Sequence, residues 1–329
     1  MDTLLPTLYQ MIFLFAFIVL GFVLARTKYL PATASSILSK LENMIFIPAL
    51  VLGTFITNFT VSSLSSAWKI LLFSLVLELF VIVITIFVAK LCAKDSYTQK
   101  IYTYGLCFSN FGFMGNAIVA ALFPEIFTEY ILFTLPLWSL IYVWGAPSLL
   151  MSADDDGGKQ TLKSRLKAFL NPMFICMVIG MVIGITGIGT MDLSSLPVLD
   201  GVRGSILKII TVAGDCMSPI AMLLSGITLG SMDLSGTLKK KSIYAVSGLR
   251  LLVYPLVAIA IFRFFPQCPE VFVVCTVCSL AMPLGLNTIV IPSAYGKDTS
   301  TAAGMALVSH VLSVVTIPVI FLLKDLILK

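Results

Sequence analysis

Apolar residues come in blocks of about twenty, separated by short polar or Pro/Gly-rich breaks. Ten such blocks fall near 7–25, 37–58, 69–90, 101–122, 129–151, 170–189, 205–229, 242–264, 270–293 and 299–323. A helix of about twenty apolar residues crosses a bilayer. The pattern therefore predicts an all-α polytopic membrane protein with ten transmembrane helices. The most polar interruption, 152–169, holds Asp154-Asp155-Asp156 and then Lys159, Lys163, Arg165 and Lys167, and it divides the spans five and five.

Two of the blocks carry the same unusual text. Asn116-Ala117-Ile118-Val119 lies in span four and Asn287-Thr288-Ile289-Val290 in span nine, flanked by Gly112 and Gly115 in one case and by Pro283 and Gly285 in the other. Such residues free backbone polar groups that lipid cannot satisfy, so the segments belong inside protein or along a cavity. Matching interruptions in two halves are the mark of a transporter with broken helices at its centre.

The two asparagines are 171 residues apart, and the same offset pairs Pro48 with Pro219, Cys107 with Cys278 and Pro147 with Pro318. Four anchors in order, without a gap, indicate a duplication into 1–151 and 170–329 around a linker at 152–169. Fourteen Lys and Arg lie in loops on one side and six on the other. The positive-inside rule makes the first side cytoplasmic, with both termini outside and the five-helix halves inverted relative to each other.

Composition agrees: 59% of residues are hydrophobic and only 11% charged, with a formal net charge of +5. That balance leaves no room for a separate soluble domain, and charge spread over short loops argues against a nucleic-acid partner. Asp2 before the first span, with Arg26 and Lys28 after it, reverses the charge order of a cleavable signal. Cys275-x-x-Cys278 reads as two small residues one helical turn apart rather than a metal or redox pair. No metal-ligand cluster or nucleophile–base motif accompanies the one histidine, so no enzyme, metal or cofactor is expected.

Ionisable residues inside spans are costly and tend to be functional. Glu78 in span three and Arg250 in span eight fall one residue from equivalent positions under the offset, which points to a gating ion pair, to Arg250 attracting an anion while Glu78 takes up a proton, to a structural pair, or to an Arg snorkelling to the cytoplasmic interface. Asp215 lies in mid-span seven, four residues before Pro219. Glu42 lies near the start of span two, and His310 in span ten between Ser309 and Ser313. These are candidates for coupling or gating. At the breaks, Gly115, Asn116, Pro283, Gly285, Asn287 and Thr288 are candidates for substrate binding, because a broken helix offers free N–H groups and a positive dipole end to a carboxylate. Gly180-Met-Val-Ile-Gly184 is a small-xxx-small contact that packs within the protein or forms a dimer face.

Asn110-Phe-Gly-Phe-Met-Gly115, the run Ser218–Gly230, Arg250-Leu-Leu-Val-Tyr-Pro255, Met282-Pro-Leu-Gly285 and Tyr295-Gly-Lys-Asp298 carry a more specific likeness. Over essentially its whole length the chain resembles the auxin efflux carrier family, in a compact form without a long cytoplasmic loop. That resemblance implies the fold shared with bile-acid/sodium symporters. Spans 1, 2, 6 and 7 would form a scaffold and spans 3–5 and 8–10 a transport domain, with spans four and nine crossing where substrate binds. It also implies that Asn110 touches substrate. The family often has proline where this chain has Ala117 and Thr288.

The function implied is secondary active transport or uniport of a small organic anion across the cell membrane. Malate, malonate or an auxin-like carboxylate would be carried by alternating access, and a homodimer would form through the scaffold. A proton or no coupling ion fits better than sodium, since the second crossover offers Ser279, Asn287 and Thr288 but no carboxylate. A sodium-coupled symporter of the bile-acid type is the alternative, and a membrane ligand sensor a more distant one.

Overall fold

A computed structural model describes residues 4–31, 33–151, 172–191, 195–232, 236–294 and 296–328. The helices are α1 (Leu4–Arg26), α2 (Ala34–Asn58), α3 (Val61–Cys92), α4 (Ser96–Cys107), α5 (Phe111–Leu122), α6 (Pro124–Leu150), α7 (Pro172–Thr186), α8 (Pro197–Gly230), α9 (Lys241–Arg263), α10 (Glu270–Ala281), α11 (Asn287–Ala294) and α12 (Ser300–Leu328). Seven are long and apolar enough to cross a membrane, and α5, α7 and α10 are shorter apolar helices. The chain is thus an all-α membrane protein with about seven to ten candidate spans. Each apolar block coincides with a helix, and the blocks near 101–122 and 270–293 are each split into two. The block near 205–229 starts earlier, at Pro197 in the first turn of α8. The linker at 152–169 lies outside the described residues.

Prolines shape several helices. A proline inside a helix removes one donor and crowds the preceding turn, and a widened π-turn absorbs the misfit. Such turns run over Glu42–Phe46 just before Pro48, over Leu249–Val253 just before Pro255, and over Ile141–Leu150 around Pro147. The first holds Glu42 and the second holds Arg250, both buried.

Glycines set the closest packing. On α8, a Cβ at Gly226 would lie within 2.0 Å of the Ile18 carbonyl oxygen of α1, and one at Gly230 within 2.6 Å of that of Phe22. The two helices therefore pack backbone to backbone along this seam. On α7, Gly180 meets Phe55 Cβ of α2 and Gly184 the carbonyls of Phe55 and of Phe59, just past the end of α2. That small-xxx-small pair is therefore used inside the chain.

Elsewhere α3 packs on α4 and α6, and α9 on α10 and α12. Ser74 donates to the Phe133 carbonyl at 2.5 Å, tying α3 to α6. Hydroxyl pairs join Thr85 to Tyr254 (2.8 Å) and Tyr102 to Ser242 (2.7 Å), tying α9 to α3 and α4. The outward stripe of α3, including Leu72, Val76, Leu79, Val83 and Phe87, is exposed and apolar, as a lipid-facing surface should be.

Candidate functional site

The two interruptions meet. The chain leaves helical geometry after Cys107 and after Ala281, and the extended stretches run side by side with an antiparallel bridge between Ser109 and Leu284. The Asn110 amide donates to the Pro283 carbonyl at 2.7 Å, and Ser109 Oγ donates to the Ser279 carbonyl at 2.7 Å. The Leu284 amide donates to Ser309 Oγ of α12 at 3.2 Å. Each break thus satisfies backbone groups of the other, which is how non-helical backbone persists at membrane depth.

Arg250 binds the ends of both first half-helices. Nη1 donates to the Leu106 carbonyl at 2.7 Å and Nη2 to that of Ser279 at 2.6 Å, with longer contacts to Cys107 and Met282. Its side chain is fully buried, which corrects the reading of a snorkelling arginine. Its guanidinium faces the C-terminal ends of α4 and α10, where the helix dipole is negative. Glu78 is buried, but its Oε1 has no hydrogen-bond partner among the described residues. No Arg250–Glu78 ion pair within 4.0 Å forms among them, so the expected gating pair is absent from this conformation.

The opposite ends enclose a cavity of about 20 Å³. Its wall includes Asn110, Phe111 and Gly112 from the start of α5, and Gly285, Leu286 and Asn287 from the start of α11. Tyr104 and Trp138 complete it. The Asn110 amide nitrogen lies 3.1 Å from His310 Nε2, and Asn287 Nδ2 donates to the Tyr104 hydroxyl at 3.3 Å. Trp138 packs against Gly112, where a Cβ would sit 2.4 Å from its ring.

Of the residues expected to bind substrate, Asn110, Gly285 and Asn287 line this cavity, whereas Gly115, Asn116, Pro283 and Thr288 do not. Gly115 is a seat for Tyr130, whose hydroxyl would overlap any Cβ there and donates to the Phe111 carbonyl at 3.2 Å. Thr288 Oγ1 caps its own turn by donating to the Gly285 carbonyl at 2.7 Å. Asn116 is buried with Oδ1 unpartnered among the described residues, on the helix that packs against α1 and α8. Asp215 is exposed at the turn inside α8 rather than buried, and is not at the cavity. Sequence reasoning passed over Tyr104 and Trp138. For Trp138 the signal was a tryptophan in the middle of a span, away from the interfacial belts where Tyr and Trp usually collect, whereas Tyr104, near the start of its block, carried no such signal.

A protein-family model described as membrane transport protein matches residues 6–155 and 158–321, nearly the whole chain. The chain belongs to the auxin efflux carrier family. No curated protein matches it. Membership makes this carrier-family chain a multi-pass membrane transport protein and implies that it moves a small solute. Among the described residues, the crossover gathers interrupted backbone, buried amides and a buried guanidinium. Within the carrier, Glu42 is a second buried carboxyl far from the crossover in sequence, and neither of its oxygens has a partner among the described residues.

Proposed function

We propose that this carrier moves a small organic anion, such as malate, malonate or an auxin-like carboxylate, across the cell membrane as a secondary active transporter or uniporter. One observation carries the reading: the ends of the broken helices are electrically sorted. The two negative C-terminal ends share the Arg250 guanidinium, while the two positive N-terminal ends open on one cavity with the Asn110 and Asn287 amides. Free N–H groups, dipole ends and neutral amide donors together suit a carboxylate without the desolvation cost of a fixed cation.

The packing supports alternating access. The glycine seams of α1 with α8 and of α2 with α7 support a stationary scaffold, and α3–α6 with α9–α12 form the part that moves. The duplication into 1–151 and 170–329, inverted and with both termini extracytoplasmic, accounts for two interruptions that face one another. The cavity holds little more than one water in this conformation, so loading requires the walls to part. A proton or no ion as the coupling partner fits a cavity whose wall contains no carboxylate, and sodium remains the alternative. The test is uptake of labelled malate, malonate, succinate and indole-3-acetate into proteoliposomes, with pH, sodium and voltage gradients imposed in turn. Uptake of at least one carboxylate is expected. Strict dependence on sodium would replace the proton as coupling ion, and uptake of none would reject the anion reading.

A further inference from the structure

His310 is the only histidine in the chain and is fully buried in α12. Its Nδ1 lies 2.7 Å from the Ala306 carbonyl oxygen one turn back, and its Nε2 lies 3.1 Å from Asn110 Nδ2. A carbonyl only accepts, so Nδ1 carries a proton. In the neutral ring Nε2 is then an acceptor, filled by an N–H of Asn110. Asn110 also lines the crossover cavity. One amide therefore serves both the ring and the site.

The amide has two faces, and the ring decides which one is free. With a neutral ring, one N–H of Nδ2 is committed to Nε2, which leaves the site a single amide N–H beside Oδ1, an acceptor that repels a carboxylate. With a proton on Nε2 the ring donates from both nitrogens. The amide must then turn over so that Oδ1 accepts from Nε2–H, which releases Nδ2 and its two donors. We propose that His310 and Asn110 couple a proton to the anion: Nε2 takes up one proton as the carboxylate arrives, and the Asn110 amide inverts to donate to it. The proposal rests on the anion-carrier reading above and names its coupling ion and coupling residue.

The surroundings of the ring bear on this. The segments packed against α12 are α1, α8, α9, α10, α11 and the short turn Thr237–Lys239, which brings Lys239. α11 brings no ionisable side chain, and α1 brings Tyr9 and Arg26. On α9, Arg250 is committed to the crossover carbonyls and Tyr254 to Thr85, while Lys240, just before α9, bonds Thr301 at the start of α12. On α10 the groups at depth are the buried thiols of Cys275 and Cys278, and on α8 it is the exposed Asp215. On α12 itself Lys324 pairs with Asp325. Among the described residues, no carboxylate bonds the ring, whose hydrogen-bond partners are Asn110 and Ala306. The charge of an imidazolium here is therefore matched by the incoming anion, and each ligand favours the other by the same factor, as linkage requires.

The test uses purified full-length protein in two formats. In proteoliposomes with a trapped pH dye, malate, malonate and indole-3-acetate are offered in turn. In detergent, the affinity for malate and malonate is followed by tryptophan fluorescence, to which Trp138 in the cavity wall contributes, across mildly acidic to mildly alkaline pH. Wild type is expected to acidify the vesicle interior in step with uptake and to bind more tightly as pH falls, by roughly 5–150-fold between the two ring states. His310→Gln, whose amide both donates and accepts, is expected to lose the acidification and the pH dependence of affinity. Uptake by wild type without acidification, or a variant affinity that tracks pH as wild type does, would overturn the coupling. If the variant does not fold, the wild-type binding profile decides alone, and a flat one overturns the proposal. Carboxylate uptake with a flat profile removes only the coupling, whereas entry of none of the three removes the carrier reading and the coupling together.

Discussion

The backbone amide of Asn110 and the carbonyl of Pro283 are joined at 2.7 Å, across 173 residues of sequence. This bond ties the two interrupted spans at their closest approach. It sets how little room the second break has, because a Cβ at Gly285 would lie 3.0 Å from the Phe108 carbonyl oxygen and 3.1 Å from that of Ser109.

Gly285→Ala should therefore push the crossing strands apart. The neighbours are backbone, which yields little, so a loss of about 1–3 kcal/mol is expected. Thermal unfolding in detergent should show a lower midpoint together with reduced carboxylate uptake. An unchanged midpoint would mean that the two segments are not held this tightly.

Arg250 is expected to be the largest single determinant of stability at the crossover. Arg250→Met would take the guanidinium from the buried Leu106, Cys107 and Met282 carbonyls and leave that of Ser279 with Ser109 Oγ alone, at a cost of about 3–5 kcal/mol. Arg250→Lys keeps a charge but loses the planar fork that reaches both half-helices, so it should fall between the two. The ranking can be read from the yield of monodisperse protein and its melting temperature. Wild-type stability in Arg250→Met would show that the guanidinium is not the clamp.

The two symmetric asparagines should behave differently. Asn287 lines the cavity and Asn116 does not. Asn287→Ala and Asn110→Ala are each expected to reduce carboxylate uptake at least tenfold, a loss of roughly 1.4 kcal/mol or more in transition-state terms. Asn116→Ala should have a smaller effect at equal protein in the membrane. Equal losses at Asn116 and Asn287 would argue for a site wider than this cavity.

Asp95 and Asp298 sit outside the spans and cap the starts of α4 and α12, accepting from Thr98 N at 2.8 Å and Ser300 N at 2.9 Å. Hydrogen bonding at the cap holds both carboxyls below their ordinary range: that from the Thr98 amide at Asp95, and those from the Ser300 hydroxyl and amide at Asp298. A folded value below the unfolded one gives stability that is present above the unfolded carboxylate value and is lost as pH falls through the folded one. Asp298→Ala should cost about 1 kcal/mol near neutrality. The gap between variant and wild-type melting temperatures should close under acid, and a gap independent of pH would exclude the cap as its cause.

Much of this was legible in the sequence because membrane insertion constrains each segment separately. Apolar length fixed where the helices lie, and the Gly/Pro/Asn clusters fixed where two of them break. Asn110, Gly285 and Asn287 could be named before any coordinates. What escaped depends on partners far apart in sequence. Nothing local in Arg250 says that it caps two other helices rather than pairing with Glu78. His310 and Asn110 were separate candidates until packing brought them to 3.1 Å. Gly115 looked like a breaker for the substrate's sake, yet it is the space that Tyr130 fills, a relation set by α6 lying over α5.

The narrowness of the crossover cavity shapes how this carrier is to be measured. Its volume of about 20 Å³ is far below the roughly 300–1,000 Å³ of sites that hold small molecules. Contact with a ligand must first do the work of separating the walls. An observed dissociation constant is then the intrinsic one divided by the fraction of molecules already open. Substitutions that favour opening would make binding look tighter while touching no ligand. Substrate rankings are therefore safest when drawn within one background, where the cost of opening cancels.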